Sequence, residues 1–449
     1  MKKIFILNKI FFSSLIAGVT LSFCGCAGEE DDLFDSSAAE RLAESKATYT
    51  ERFAADGGTW AMEYFPTSYT YEPQGCGYLL LLAFSDDGSV RVGMKNDFSD
   101  DEYKEDTSLW EVIADTGPVL TFNTYNECLH AFSDPSDISF TSDDETGLGC
   151  EGDYEFIVLS LEEDATEATI KGKKRGIYER LRKLPEETDF EEYIEDVQDF
   201  QDYVFSSSAP NYALMTVGDS VKRIDDGYCT IPNIYRFGGD AVVNESYHPY
   251  IISKQDDVYS LRFRDEFEIG DAVVQEFEYD EDEKVFHEVD NYDYTITGPN
   301  PNVFMTSDRW NFTRTSEMAD EVYDLVYAMY TGFKSLSYTM SNLRLIFDED
   351  NDSTATFTIT YRKTANVTIQ FLYDLEKGED SFTLKYNSPV TTSSTNPQSV
   401  VNAIPAIQDF LDALEGTFVA TEYENPFDLS YMTLTWADNE DRWMVVTNY

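Results

Sequence analysis

Short runs of alternating or wholly apolar residues, each closed by an acidic or glycine turn, constrain this chain more than any other feature. Tyr78 to Phe84 and Ser89 to Met94 flank Asp86-Asp87-Gly88. An Asp-Gly turn matches the twist of two adjacent antiparallel strands, so the stretch predicts a hairpin. Leu109 to Ile113 and Val119 to Phe122 repeat the pattern around Asp115-Thr116-Gly117-Pro118. Tyr154 to Leu161 and Ala168 to Lys173 repeat it around Glu162-Glu163-Asp164. Successive hairpins build antiparallel sheet, and a long sheet must curl to bury one face.

Helical patterns interrupt the strands. Ser36 to Ala55 predicts a helix, with Ser36 or Ser37 as cap, Glu40 close behind, and Leu42, Tyr49 and Phe53 on one side. Between Pro185 and Phe205, the residues Phe190, Tyr193, Ile194, Val197, Phe200 and Val204 recur at three- and four-residue steps. That stripe predicts an amphipathic helix. The expected fold is mainly β with a few helices: two antiparallel β-barrel-like units, similar to lipocalin-like barrels, joined by the amphipathic helix. The expected divisions are a signal peptide over 1–25, an acidic tether over 26–35, a helix over 36–56 and a lipocalin-like β domain over 57–184. A helix and linker over 185–210 and a second β domain over 211–449 follow, the latter with helices near 316–334 and 400–414. Gly58-Thr59-Trp60 and Gly416-Thr417-Phe418 each follow a helix and read as equivalent strands of two related units.

Charge limits the partners. The chain carries 86 Asp+Glu against 32 Lys+Arg, a formal net charge of −54. Such a molecule repels phosphate backbones, so no nucleic-acid partner is expected. At 42% hydrophobic and 15% aromatic residues, it has the apolar material for packed cores despite that charge. One basic stretch stands out: Lys171, Lys173, Lys174, Arg175, Arg180, Arg182 and Lys183. Internal charge balance explains it, and contact with an anionic headgroup or substrate is the sharper alternative.

The first residues read as an address. Lys2, Lys3 and Lys9 precede an apolar run from Ile10 to Phe23, which is shorter than the ~20 residues a membrane span needs. The run ends Leu21-Ser22-Phe23-Cys24-Gly25-Cys26, which resembles a bacterial lipobox. Cys26, preceded by the small Gly25, is the candidate lipidated residue, with Cys24 as the alternative. Glu29-Glu30-Asp31-Asp32 resembles the surface-export signal of Bacteroidota lipoproteins. The expected location is the outer membrane, lipid-anchored and facing the cell exterior.

Several constellations invite chemistry. Tyr64, Phe65, Tyr69 and Tyr71, with Tyr78 beyond them, sit between the first two strands, where a lipocalin-like barrel carries its mouth-covering loop. Amphipathic rings there suit sugar rings or peptide side chains, and equally suit plugging the barrel end. Asp348, Asp350 and Asp352 alternate as calcium ligands do, but the closing Glu of such a loop is Ile359 here, and a solvated turn fits as well. Cys128 and Cys150 flank one acidic loop and are the candidate disulfide, free buried thiols being the alternative. Ser220 and Ser353 follow Asp and precede an aliphatic or small residue, a pattern resembling Bacteroidota O-glycosylation sites. His287-Glu288 lacks the second His of a zinc-protease helix, and no Gly-x-Ser-x-Gly elbow occurs. No enzyme activity and no cofactor are expected.

The run from Asp32 to Leu42 after the lipobox is distinctive, as are Gly58 to Pro66, Gly117 to Asn126, His130 to Pro135 and Val273 to Asp280. Together they resemble Bacteroidota lipoproteins grouped as domain of unknown function 4302. That resemblance implies a place beside a TonB-dependent transporter and its SusD-like lipoprotein. The implied role is nutrient binding or accessory work with a peptide or glycan ligand, the alternative being a structural docking lipoprotein or, further off, a hydrolase. It transfers no catalytic residues.

Overall fold

The computed structural model describes residues 37–66, 77–115, 117–134, 152–161, 166–206, 209–231, 246–347 and 352–448. The signal-peptide and tether expectations, with Cys24 and Cys26, lie outside these residues. The first β unit is a nine-stranded sheet. Its strands are β1 Thr59–Tyr64, β2 Tyr78–Phe84, β3 Ser89–Met94, β4 Lys104–Leu109, β5 Glu111–Ala114, β6 Pro118–Thr121, β7 Glu155–Ser160, β8 Glu167–Gly172 and β9 Tyr178–Lys183. They are ordered β4-β3-β2-β1-β9-β8-β7-β6-β5. The sheet curls until its two edges, β4 and β5, are separated in sequence by Trp110 alone. Those edges do not pair, so the barrel keeps a seam.

The helix α1, Ala38–Ala54, starts at Ser37 with the reciprocal Ser37–Glu40 capping box its sequence predicts. Phe53, on its last turn, is fully buried and packs edge-on to Trp60 and Trp110. Strand β1 is buried on both faces. Trp60, Met62 and Tyr64 fill the barrel core, while Ala61 and Glu63 point outward against the rest of the molecule.

The helix α3, Phe190–Val204, joins the first unit to the second as expected. Phe190 and Ile194 pack on Ala61 and Leu81 of the first sheet. Val197, Phe200 and Val204 pack into the second unit. One apolar stripe thus covers two neighbours in turn.

The expected β-barrel character stands, but 211–449 holds two closed eight-stranded rings where the sequence reads as one domain. The first ring runs β10 Ala213–Val217, β11 Ser220–Asp225, β12 Tyr228–Ile231, β13 Ser246–Gln255, β14 Val258–Ile269, β15 Ala272–Asp280, β16 Val285–Glu288 and β17 Thr295–Thr297. The second runs β18 Arg309–Phe312, β19 Thr339–Phe347, β20 Thr354–Arg362, β21 Asn366–Lys377, β22 Phe382–Pro389, β23 Gly416–Glu422, β24 Tyr431–Trp436 and β25 Asn439–Thr447. No linker composition marks the boundary because the rings interlock. Phe427, from the loop after β23, is buried in the core of the first ring. Gly298 lies so close to Pro426 that an added Cβ would meet its carbonyl oxygen at 1.7 Å.

Three tryptophans tie helix ends to these units. The indoles of Trp60, Trp310 and Trp436 donate to the backbone carbonyls of Phe53, Met305 and Ala413, near the ends of helices. Each satisfies a carbonyl that has no partner within its own helix. Trp310 follows its helix, Pro301–Met305, at the start of a unit, as Trp60 does. It is therefore a nearer counterpart of Trp60 than Phe418 is. The helix expected over 316–334 runs Asp320–Ser335. That near 400–414 is two helices, Pro397–Ala403 and Ala406–Ala413, broken at Pro405, which lacks an N–H.

Candidate functional site

The seam of the first barrel is where regular pairing gives out, and side chains finish the work. Asn126 is fully buried. Its Nδ2 donates to the Asp106 carbonyl and to Ser108 Oγ, each at 3.2 Å, on the edge of β4 that no strand pairs. Its Oδ1 accepts from the N–H groups of Cys128 and Leu129 at 3.0 and 3.1 Å, capping the short helix α2, Glu127–His130. One amide thereby stitches the edge and aims the helix that presents His130.

A cleft of about 1070 Å³ opens beside that helix. Its aromatic wall is three neighbouring rings, His130 stacked on Tyr154 and tilted against Tyr125. His130 lies 5.3 Å from Tyr125 and 5.0 Å from Tyr154, ring centre to ring centre. Tyr125 and Tyr154 remain 61% and 43% exposed. His130 Nδ1 accepts the Asn126 N–H at 3.1 Å, which leaves the proton of the neutral ring on Nε2. Burial holds the ring below the ordinary histidine range.

The opposite wall is the turn between β8 and β9. The Asp153 carboxylate accepts from the N–H groups of Lys174 and Arg175 at 3.1 and 2.7 Å. Lys173 pairs with Asp115 at 3.1 Å and Glu155 at 3.2 Å. The floor is core: Tyr64 packs edge-on to Phe132 and donates its hydroxyl to the Asp153 carbonyl at 2.9 Å. Gly152 permits this approach, since a Cβ there would sit 2.2 Å from the Tyr64 oxygen.

Tyr64 and Phe65, expected as ligand-facing rings, are therefore buried supports. The pleat turns Tyr64 inward, and the Phe65 N–H donates to Glu179 Oε2 at 2.9 Å. Tyr69 and Tyr71 lie outside the described residues. Tyr125, His130 and Tyr154 went unselected by sequence because they sit on separate segments. The family-like runs ending at Asn126 and starting at His130 were the available signal.

Cys128 is a free, buried thiol, 3.5 Å from the Lys104 carbonyl, as the alternative to a disulfide had it; its candidate partner Cys150 lies outside the described residues. Burial pushes this thiol up to about 12. Of the calcium candidates, Asp352 pairs with Lys377 at 2.8 Å, and Asp348 and Asp350 lie outside the described residues. No group of three or more His, Cys, Asp or Glu among the described residues could hold a metal ion. Ser220 is half-buried at the start of β11, and Ser353 is exposed in the turn before β20. No described helix is long and apolar enough to cross a membrane.

Four members of the basic stretch, Lys173, Arg180, Arg182 and Lys183, pair with acids of the same chain. On the outer face of the first barrel, Glu63 and Arg180 are cross-strand partners; Arg262 and Glu276 are partners on the neighbouring ring. The two pairs meet face to face. Arg180 bonds Glu63 twice at 2.9 Å and Glu276 at 2.7 and 2.8 Å. Arg182 also bonds Glu276, and Ser253 donates to Glu63 at 2.7 Å. Burial alone would raise Glu63, but Arg180, Arg262 and Arg182 outweigh it and hold the carboxyl at about 2.

No curated protein matches the chain. Among solved structures, intact Ap-TbpB (N and C lobes) is 8% identical over 86% of this chain and 75% of its own, with a TM-score of 0.15. The isotype 1 transferrin binding protein B from serogroup B Neisseria meningitidis is 7% identical over 86% of this chain and 74% of its own, with a TM-score of 0.14. At such scores the likeness carries no argument. The family described as a domain of unknown function, DUF4302, matches residues 30–281, which take in the whole first barrel, α3 and most of the first closed ring, and the chain belongs to it.

Proposed function

We propose that this chain is a non-catalytic binding protein of the cell surface, anchored by a lipid on Cys26 and serving nutrient uptake beside a TonB-dependent transporter and its SusD-like lipoprotein. The observation that carries the binding role is the Tyr125–His130–Tyr154 ring cluster, open to solvent on a braced, buried floor. Stacked amphipathic rings beside a few fixed polar groups are the usual chemistry of a recognition site. His130 engages the backbone through Nδ1 and stands between two rings, an arrangement suited to shape and stacking. The lipobox and the acidic run behind it support the anchor and the exterior location.

The test pairs location with function. Proteinase K added to intact cells should degrade the protein, and globomycin should leave an unprocessed precursor. A strain carrying Tyr125→Ala and Tyr154→Ala should then fail to grow on the nutrient that induces the gene, at unchanged protein level. Protection from the protease, or normal growth of that strain, overturns the reading.

A further inference from the structure

We infer that the Tyr125–His130–Tyr154 face binds the rings of an uncharged glycan. The inference rests on the reading of this face as the binding site and names what it takes. The first argument is shape. Tyr125 and Tyr154 flank His130 and keep much of their area open, so each offers a flat apolar surface with a polar hydroxyl at its edge. A pyranose has the complementary form, a flat face of C–H groups rimmed by hydroxyls.

Charge is the second argument. The cleft carries formal charges, and apart from the exposed Lys174 the ones nearest the rings are engaged within the protein. Lys173 is held by Asp115 and Glu155. The Asp153 carboxylate is held by two backbone N–H groups. An anionic ligand would find Lys173 already held by its carboxylates, would have only Lys174 to meet on the same turn, and would approach a molecule of net charge −54. A cationic ligand would have to take Glu155 from Lys173 or Asp153 from the turn that it braces. A neutral ligand displaces neither.

The third argument is the remaining polar lining. Asn123, Thr124 and Ser133 add an amide and two hydroxyls. Thr124 Oγ accepts the Leu109 N–H at 2.7 Å, which leaves its own proton to donate. His130 Nε2–H adds a donor from a neutral ring. Amides, hydroxyls and a neutral imidazole match sugar hydroxyls, which both donate and accept.

The experiment uses the full mature chain on an array of neutral oligosaccharides of glucose, mannose, galactose and xylose. Uronic-acid oligosaccharides and acidic and basic peptides share the array. Binding to a neutral member is expected. Tyr154→Ala should weaken it roughly tenfold, about what the loss of one aromatic stacking partner gives, while Tyr154→Phe should keep it within about twofold. Binding to no neutral glycan, or neutral-glycan binding that ignores both Tyr125→Ala and Tyr154→Ala, overturns the inference. Peptide or uronate binding that depends on these tyrosines also overturns it, yet leaves the face as the binding site. Normal growth of the double-alanine strain overturns the broader reading instead.

Discussion

The first barrel and the last ring meet the same demand in different ways. The ring β18 to β25 closes on itself through its backbone, with Asn311 opposite Thr447. The first barrel leaves β4 and β5 unpaired and satisfies the gap with the Asn126 amide, the capped helix α2 and the Trp110 ring. A closed ladder spends its polar groups on itself and can fill its interior with Phe, Leu and Ile. An open seam needs a cover of irregular chain, and irregular chain can hold Tyr125 and Tyr154 out in water. The candidate site lies beside the helix α2 that covers the open edge.

This contrast can be broken from the interface inward. The largest effect is expected at Glu63, which anchors the first barrel to its neighbour. Glu63→Ala leaves buried guanidinium groups without their carboxylate and should cost about 3–5 kcal/mol. Calorimetry should show the first-barrel transition falling while that of the last ring stays put. The pH dependence follows from the lowered carboxyl. Glu63 folds at about 2 against an ordinary value of 4.5. Its contribution is present in full above the ordinary value and lost as pH falls toward the folded one. The variant should lack that acid loss.

Next comes Asn126→Ala. It strands the β4 edge and uncaps α2, at about 1–3 kcal/mol for the buried groups left unpaired. Hydrogen exchange should quicken at 104–109 and 127–130, and not in β18 to β25. A uniform change across the molecule would refute the view that this side chain acts locally at the seam.

Trp310→Phe in the last ring keeps the packing but removes the donor to the Met305 carbonyl, at about 1 kcal/mol. Urea denaturation should register that loss without altered exchange in the first barrel. The smallest effect concerns Glu179. Burial holds its carboxyl well above the ordinary range, and the Phe65 N–H only partly offsets this. Between the unfolded and folded values the native state keeps a proton that the unfolded state has lost, so stability falls as pH rises. Glu179→Gln should match the parent at pH 4 and be at least as stable at pH 7. Lower stability of the variant at pH 7 would show that Glu179 is ionised in the folded protein.

Local rules were legible wherever the residues concerned are neighbours in the chain. The Ser37–Glu40 box, the Asp86-Asp87-Gly88 hairpin and the stripe from Phe190 to Val204 follow from cap chemistry, turn geometry and helical period. The boundary between the two closed rings was not legible, because Phe427 reaches across it and leaves no linker behind. Of the aromatic motif after β1, the two described rings, Tyr64 and Phe65, are buried. Tyr64 faces inward and supports Asp153 from below, while the exposed rings come from 125 and 154.

What the sequence determined alone was the material and its periodicity: hairpins, an amphipathic joining helix and a charge that repels anions. Only the tertiary structure decided which acids and bases would meet. Glu63 and Arg180 are more than a hundred positions apart, and only the antiparallel register of β1 with β9 sets them opposite. The same holds for Tyr125, His130 and Tyr154, which are brought together by a seam that no local signal announces. Turn and helix preferences act over a few residues, whereas register and closure are set by burial summed over the whole sheet.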